Sequence, residues 1–309
     1  MGKFLAIVKS SINSSQFDLI CFHFNDNSNE FTNSILFELN RRVGKIECSH
    51  NHSEFVFSIE KPPALFWSRG SKQFDLEPNE KVNSITEWKA KLGENNVRLW
   101  VVCTTRYQEG RLLFFSQSRS DNNVRLVLPK TFQSPIVAFT AVSSRLAFFV
   151  QDDIITGLSL ETGALTQRAK ANSKIPNVVA IDSSINYIAV LSDKDGFSIF
   201  TVINDTKIES LAVVRVHDLY GRIKVMNNFV IVTSRLEPIA YIYNICQNPI
   251  IMRTVNVLSP IVSIFSVNGK ALFNCICGEI YIVNCNGDEI VDSDLSGLFS
   301  FGNSSFALE

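Results

Sequence analysis

Residues 134–142 read "SPIVAFTAV", and residues 259–267 read "SPIVSIFSV". The first phrase continues into "SSRLAFFVQDDIITGLSLETG" (143–163) and the second into "NGKALFNCICGEIYIVNCNGDE" (268–289). Both continuations are short apolar runs broken by turn residues, Ser-Ser-Arg or Asn-Gly first and Asp-Asp or Cys-Gly next, the spacing of consecutive hairpins. The interval between the two phrases follows the same grammar in "PNVVAIDSSINYIAVLSDKDGFSIFTV" (176–202) and "GRIKVMNNFVIVTSRLEPIAYIYNI" (221–245). Val137, Val179, Ile223 and Val262 then hold equivalent places at intervals of roughly 40 residues, the period of a four-stranded propeller blade.

Towards the N-terminus the grammar is rougher. "FLAIVKSS" (4–11) and "FDLICFHF" (17–24) form one pair, "SEFVFSIE" (53–60) and "PALFWSRG" (63–70) a second, "VRLWVVCTT" (97–105) and "GRLLFFSQS" (110–118) a third. Counting all of them predicts an all-β chain: a β-propeller of about seven four-stranded blades in a single domain, 1–309, with the clearest blades over 134–291. One such unit is apolar on both faces and cannot bury itself, whereas radial stacking covers both faces and leaves short edges. Continuous runs such as "IVAFTAV" and "FVIVTS" fit strands buried on both sides. Only "VNSITEWKAKLG" (82–93) offers a short helix as an alternative.

Composition agrees with a globular β protein: of 309 residues 46% are hydrophobic and 19% charged, with 24 Phe. A net charge of −1 implies no global attraction to nucleic acid or anionic membrane. The apolar run after Met1 is too short for a secretory leader, and Ala6 stands where a myristoylation motif needs Ser or Thr. No run approaches the roughly 18 residues of a membrane-spanning helix. The seven Cys are scattered through apolar runs and read as buried reduced thiols, so a cytoplasmic or nuclear location is expected and the sequons at Asn13, Asn51, Asn204 and Asn303 are silent.

"LSDKDGFSIFTV" (191–202) resembles the closing half of a WD repeat, with Asp193 or Asp195 in the turn and Phe200 at the usual Trp position. "RVHDLYGRIKV" (215–225) resembles the other half, with His217 ahead of the innermost strand. The likeness covers about four repeats from residue 134. No Trp-Asp or Gly-His dipeptide occurs. Within that class, "SDKDGFSIF" (192–200) is similar to a turn of the non-catalytic propeller subunits that support tRNA guanine-N7 methyltransferase. That resemblance implies a scaffold without an active site, working beside a catalytic partner and helping to hold tRNA. The span 227–283 is also similar to late blades of lysosomal tethering-complex subunits, which implies a role in vesicle traffic as the alternative. A propeller hydrolase is a third reading.

For chemistry the sequence offers little. No Gly-x-Ser-x-Gly elbow and no Gly-rich phosphate loop occurs, so no catalytic residue is assigned and no cofactor is expected. Cys48, His50 and His52 alternate in "ECSHNHSE" without a second ligand pair, a polar turn rather than a metal site. Cys275, Cys277 and Cys285 lack a partnering His, and adjacent Asp152 and Asp153 suit a hairpin turn better than an acid–base pair. The uneven feature is the basic stretch 89–130. There Arg98, Arg106, Arg111, Arg119 and Arg125, with Lys89, Lys91 and Lys130, are interleaved with Trp100, Tyr107, Phe114 and Phe115. It reads either as a rim for RNA phosphates or an acidic partner, or as solvated outer strands. Residues 60–81, with three prolines, read as an exposed connection, where Phe66 and Trp67 are either partner anchors or buried strand residues. The acidic residues at 288–294 read as a solvated edge.

Overall fold

A computed structural model describes the chain except residues 1–2, 11–16, 26–29, 40–42, 50–53, 69–71, 93, 118–122, 162–163, 172–173, 205, 216–219, 247–249, 268, 277–279, 286–290 and 293–309. Among the described residues there is no helix; every element is a strand. Sheet 1 holds β1 (Lys3–Ser10), β2 (Phe17–Asn25) and β3 (Glu30–Leu39). Sheet 2 holds β4 (Val43–Cys48), β5 (Phe55–Glu60), β6 (Pro63–Trp67) and β7 (Lys72–Asp75). Sheet 3 holds β8 (Lys81–Leu92), β9 (Asn95–Arg106), β10 (Glu109–Gln117) and β11 (Val124–Phe132). Sheet 4 holds β12 (Ile136–Ala141), β13 (Leu146–Gln151), β14 (Ile154–Glu161) and β15 (Ala164–Lys170). Sheet 5 holds β16 (Val178–Ser183), β17 (Tyr187–Ser192), β18 (Gly196–Asn204) and β19 (Lys207–Val214). Sheet 6 holds β20 (Tyr220–Met226), β21 (Phe229–Ser234), β22 (Ile239–Asn244) and β23 (Ile250–Asn256). Sheet 7 holds β24 (Ile261–Val267), β25 (Lys270–Cys275), β26 (Ile280–Asn284) and β27 (Val291–Asp292).

Each sheet is an antiparallel meander in chain order, with no crossover. Two-residue turns set the register. Gln151 pairs with Ile154 across Asp152–Asp153, both at positive φ, and Val267 pairs with Lys270 across a turn closed by Gly269 at φ 73°. These left-handed positions match the twist of the flanking strands. Where side-chain burial is described, it grades across the sheets. The second strands, such as β5, β13 and β21, are buried almost throughout, while the outer strands β11 and β19 are mostly exposed. Continuous apolar runs fall on the middle strands because neighbours cover both of their faces.

Two compact units divide the chain, one built on residues up to Ile136 and the other beginning at Val137. Inside the first, β4 lies beside β8, and Val56, Leu65, Trp67, Trp100 and Phe115 share one core between sheets 2 and 3. Inside the second, β20 lies beside both β16 and β24. Its cores sit between successive sheets: Phe148, Val150 and Ile188 between 4 and 5, Phe197, Val230 and Tyr243 between 5 and 6, Ile231, Ile242 and Phe273 between 6 and 7. Each fully buried side chain of this size stabilises by about 1.5–3 kcal/mol. No helix of the described residues is long and apolar enough to cross a membrane.

Three sequence expectations change. "VNSITEWKAKLG" is strand β8, paired with β9 along its length from Lys81 to Leu92. Its Glu, Lys and Ala favour helix locally, but burial of Ile85, Trp88 and Ala90 against the sheet overrides so weak a preference. Residues 60–81 are mostly not a connection, because β6 and β7 complete sheet 2 inside them. Pro63 is tolerated as the first residue of its strand. The repeat register also shifts by two residues in one unit. Val179 is an extra, bulged residue between Val178↔Ser192 and Ala180↔Leu191, and Val262 is bulged between Ile261↔Cys275 and Ser263↔Asn274. The equivalent residue in sheet 6 is Gly221, not Ile223. A glycine has no apolar side chain to mark the position, so the next inward isoleucine mimicked it.

Gly110 shows how tightly one sheet end is closed. A Cβ there would lie 2.3 Å from Ser134 O and 2.6 Å from Ile136 N, both main-chain atoms. At Gly221 the nearest neighbour would be Thr233 Oγ1 at 3.3 Å, a tight approach but a much longer one. Gly110→Ala is expected to cost about 1–3 kcal/mol and Gly221→Ala less than about 1 kcal/mol, read from urea midpoints.

Candidate functional site

The interleaved arginines of sheet 3 resolve into two kinds. Arg98 leaves β9 into a carboxylate clamp. It hydrogen-bonds Glu54, and its Nε lies 2.6 Å from Glu87 Oε1. The guanidinium sits 5.0 Å from the Trp100 ring centroid, and Trp100 donates from Nε1 to Gln117 Oε1 at 3.0 Å. Residues 98 and 100 share a strand face and Glu87 faces Trp100 across the ladder, so period-two geometry assembles the set. Arg111 is held similarly. Its Nη1 is 2.9 Å from Glu80 Oε2, and Glu80, with a fully buried side chain, also accepts from the Thr104 hydroxyl and from Glu77 N–H. These two arginines neutralise buried acids of their own unit.

Arg106 and Arg125 are different. Arg125 projects from the exposed edge strand β11. Arg106 closes the β9–β10 hairpin, whose turn is Tyr107–Gln108 between paired Arg106 and Glu109. Tyr107 is 73% exposed and sits at φ 55°, a left-handed position that a bulky residue rarely adopts. Three contacts hold it there: Asn79 Nδ2 donates to its hydroxyl at 3.4 Å, Arg106 lies 5.6 Å from its ring centroid, and the hairpin ladder fixes its backbone. Arg106 also approaches Glu77 at 3.7 Å. Arg106, Tyr107, Gln108, Glu109 and Gln133 line a shallow depression of about 670 Å³. Such a lining offers one aromatic face, one cation, one carboxylate and two amides. Such a lining can give stacking, charge and amide hydrogen bonds to a polar ligand.

Phe66 is half-buried and stacks on Phe57 at 5.2 Å, while Trp67 is 2% exposed and packs 5.0 Å from Phe115. Trp67 belongs to the core between sheets 2 and 3, whereas Phe66 packs within sheet 2. Lys89 is exposed, and Lys91 pairs with Glu94 at 3.8 Å. Lys130 lies 5.7 Å from the Phe132 ring, and burial lowers its pKa. Arg119, His50, His52, His217 and Cys277 lie outside the described residues. Of the WD-like positions, Phe200 is buried in the core between sheets 4 and 5, and Asp195 donates its N–H to Ser192 Oγ in the β17–β18 turn.

Among the described residues no three His, Cys, Asp or Glu side chains converge on a metal-sized site. Cys275 and Cys285 occupy opposite ends of the β25–β26 hairpin, since Asn274 pairs with Ile280 while Cys285 bonds Gly269. Burial raises the Cys103 thiol to about 12 and Cys285 to about 11. Neither is a thiolate at neutral pH, so neither is a ready nucleophile. Cys246, by contrast, is exposed.

Sequence reasoning found Arg106 and Tyr107 as members of a basic, aromatic stretch but missed the tip that singles them out. No family model and no curated protein matches the chain.

Proposed function

We propose that this chain is a WD-like β-propeller of seven blades and a non-catalytic scaffold within a multiprotein complex, of the kind that supports a tRNA-modifying methyltransferase. Support for the ring is the succession of seven meanders in chain order, with the first strands of sheets 2 and 3, and those of sheets 5, 6 and 7, adjacent inside their units. The observation that carries the scaffold reading is the Arg106–Glu109 tip. A tyrosine is held exposed, in a backbone conformation that costs about 1–2 kcal/mol, above a depression lined by polar side chains. Strain of this kind concentrates where a protein presents something. An exposed ring beside a guanidinium is a platform for a base or for a partner's extended segment.

The test separates presentation from stability. Tyr107→Gly relieves the left-handed strain, which offsets the roughly 0.5 kcal/mol of an exposed cation–π contact. The variant should melt at the parental temperature or slightly above it, yet lose its partners in affinity purification at moderate salt. A co-eluting RNA-modifying enzyme would support the reading, and Arg106→Gln should then reduce the salt slope of RNA binding by about one. Tethering or coat subunits among the co-eluting proteins, or partners unchanged by Tyr107→Gly, would remove it.

A further inference from the structure

Sheet 1 has three strands where each of the other six sheets has four. In sheets 2 to 6 the fourth strand hands over to the next first strand across a short interval, from 133–135 at the shortest to 171–177 at the longest. β3 and β4 are separated by residues 40–42 alone. Such an interval spans at most about 14 Å, whereas β4 by itself is about 20 Å long. β1 lies beside β4, so the two sheets overlap lengthwise. β3 can then end where β4 begins only by running antiparallel to it, as a fourth strand does. β2 and β1 are by the same count a third and a second strand, and the strand that sheet 1 lacks is its first. β1 carries the unbroken apolar run "FLAIV" (4–8), like the buried second strands β13 and β21, yet among the described residues it pairs with β2 alone. An unpaired strand edge of this kind is a template for a further strand.

The chain holds the complementary piece. "SPIVAF" (134–139) and "SPIVSI" (259–264) each lead into a first strand, β12 and β24. "SGLFSF" (296–301) is a third copy of that phrase, 37 residues after the second and so within the repeat period. Leu298, Phe299, Ser300 and Phe301 stand at the places of Ile261, Val262, Ser263 and Ile264. Between β27 and Leu298 lie residues 293–297, an interval of the ordinary length. The phrase therefore opens a first strand for which sheet 7, already four-stranded, has no place.

We infer that residues 298–301 supply the first strand of sheet 1 by pairing antiparallel with the open edge of β1. The inference rests on the ring reading proposed above, since a closed succession of sheets is what brings the continuation of the seventh beside the first. Sheet 7 supplies the register. There Ser263 pairs with Asn274 and Ile264 with Phe273, and Val262 is the bulged residue. Matching Lys3–Val8 to Lys270–Cys275 from their leading lysines sets Ser300 opposite Ile7 and Phe301 opposite Ala6, with Phe299 as the bulge. A strand on the same chain outcompetes one from a partner or a second copy, because its effective concentration is of about millimolar order.

The full chain carrying Ile7→Cys and Ser300→Cys, oxidised mildly at low concentration, should form an intrachain disulfide between positions 7 and 300, mapped by peptide mass spectrometry. Ile7→Cys with Ser304→Cys should form none, because four residues along a strand carry the sulfurs beyond bridging reach. Phe301→Asp should speed hydrogen exchange of the β1 amides at least ten-fold and leave those of Ala147–Val150 in place. A bridge in the 304 variant but not in the 300 variant, or β1 exchange unmoved by Phe301→Asp, would overturn the assignment. A mixture of the two single variants, Ile7→Cys and Ser300→Cys, that crosslinks into dimers as readily as the double variant bridges itself would overturn it in favour of strand exchange between copies. An unbridged double variant whose small-angle scattering keeps the dimensions of one ring would remove this strand and leave the ring. An unbridged variant that scatters as two bodies would remove both.

Discussion

Arg98→Ala is expected to be among the most damaging single substitutions outside the apolar core, lowering unfolding stability by about 3 kcal/mol. Arg98 is the shared cation of Glu54 and Glu87, whose side chains are only 6% and 3% exposed. Removing it leaves two desolvated carboxylates facing each other at the junction of sheets 2 and 3. Breaking a buried pair in this way costs about 3–5 kcal/mol. The lower end applies because the Arg98 side chain keeps 17% exposure and water can enter. The cost should belong to the orphaned charges rather than to the missing arginine. The triple variant Glu54→Gln, Glu87→Gln, Arg98→Met carries no buried charge and should recover most of the loss, read as the urea midpoint at constant slope. A triple variant as unstable as Arg98→Ala would show that the packing of the guanidinium over Trp100 matters instead.

The same residue shows where sequence reading stops. Within 89–130 the arginines outnumber the acids and look unopposed. Their partners lie elsewhere: Glu54 is 44 positions from Arg98 and Glu80 is 31 from Arg111. Charge counted along the chain cannot see charge paired across strands. What was legible was the meander, because apolar runs of the middle strands and turn residues of the hairpins are local properties. β8 was ambiguous, since its Glu, Lys and Ala speak for helix and only its pairing with β9 makes it a strand. The bulge at Gly221 was invisible for the opposite reason, as the position is marked by backbone geometry alone. Tyr107 could be listed among aromatics, but its exposure follows from a two-residue turn between Arg106 and Glu109 that no Asn-Gly announces.

Phe148→Ala is expected to cost about 3–5 kcal/mol. Phe148 is fully buried in the core shared by sheets 4 and 5, beside Val150, Ile155, Ile188 and Val190. It stands directly opposite Gly157 on β14, so the residue across the ladder has no side chain to fill the space. Phe148→Leu keeps most of the apolar volume and should cost about 1.5 kcal/mol or less. The alanine variant also probes the proposed ring. If the seven sheets close into one ring and fold as one, native-state hydrogen exchange of Leu112–Phe115, in the other unit, should lose protection by the same free energy as the site itself. If the two units unfold independently, protection falls in the unit that begins at Val137 and holds at Leu112–Phe115. The second pattern would require two separately stable domains, and the Tyr107 tip would then belong to only one of two independent bodies joined by the chain.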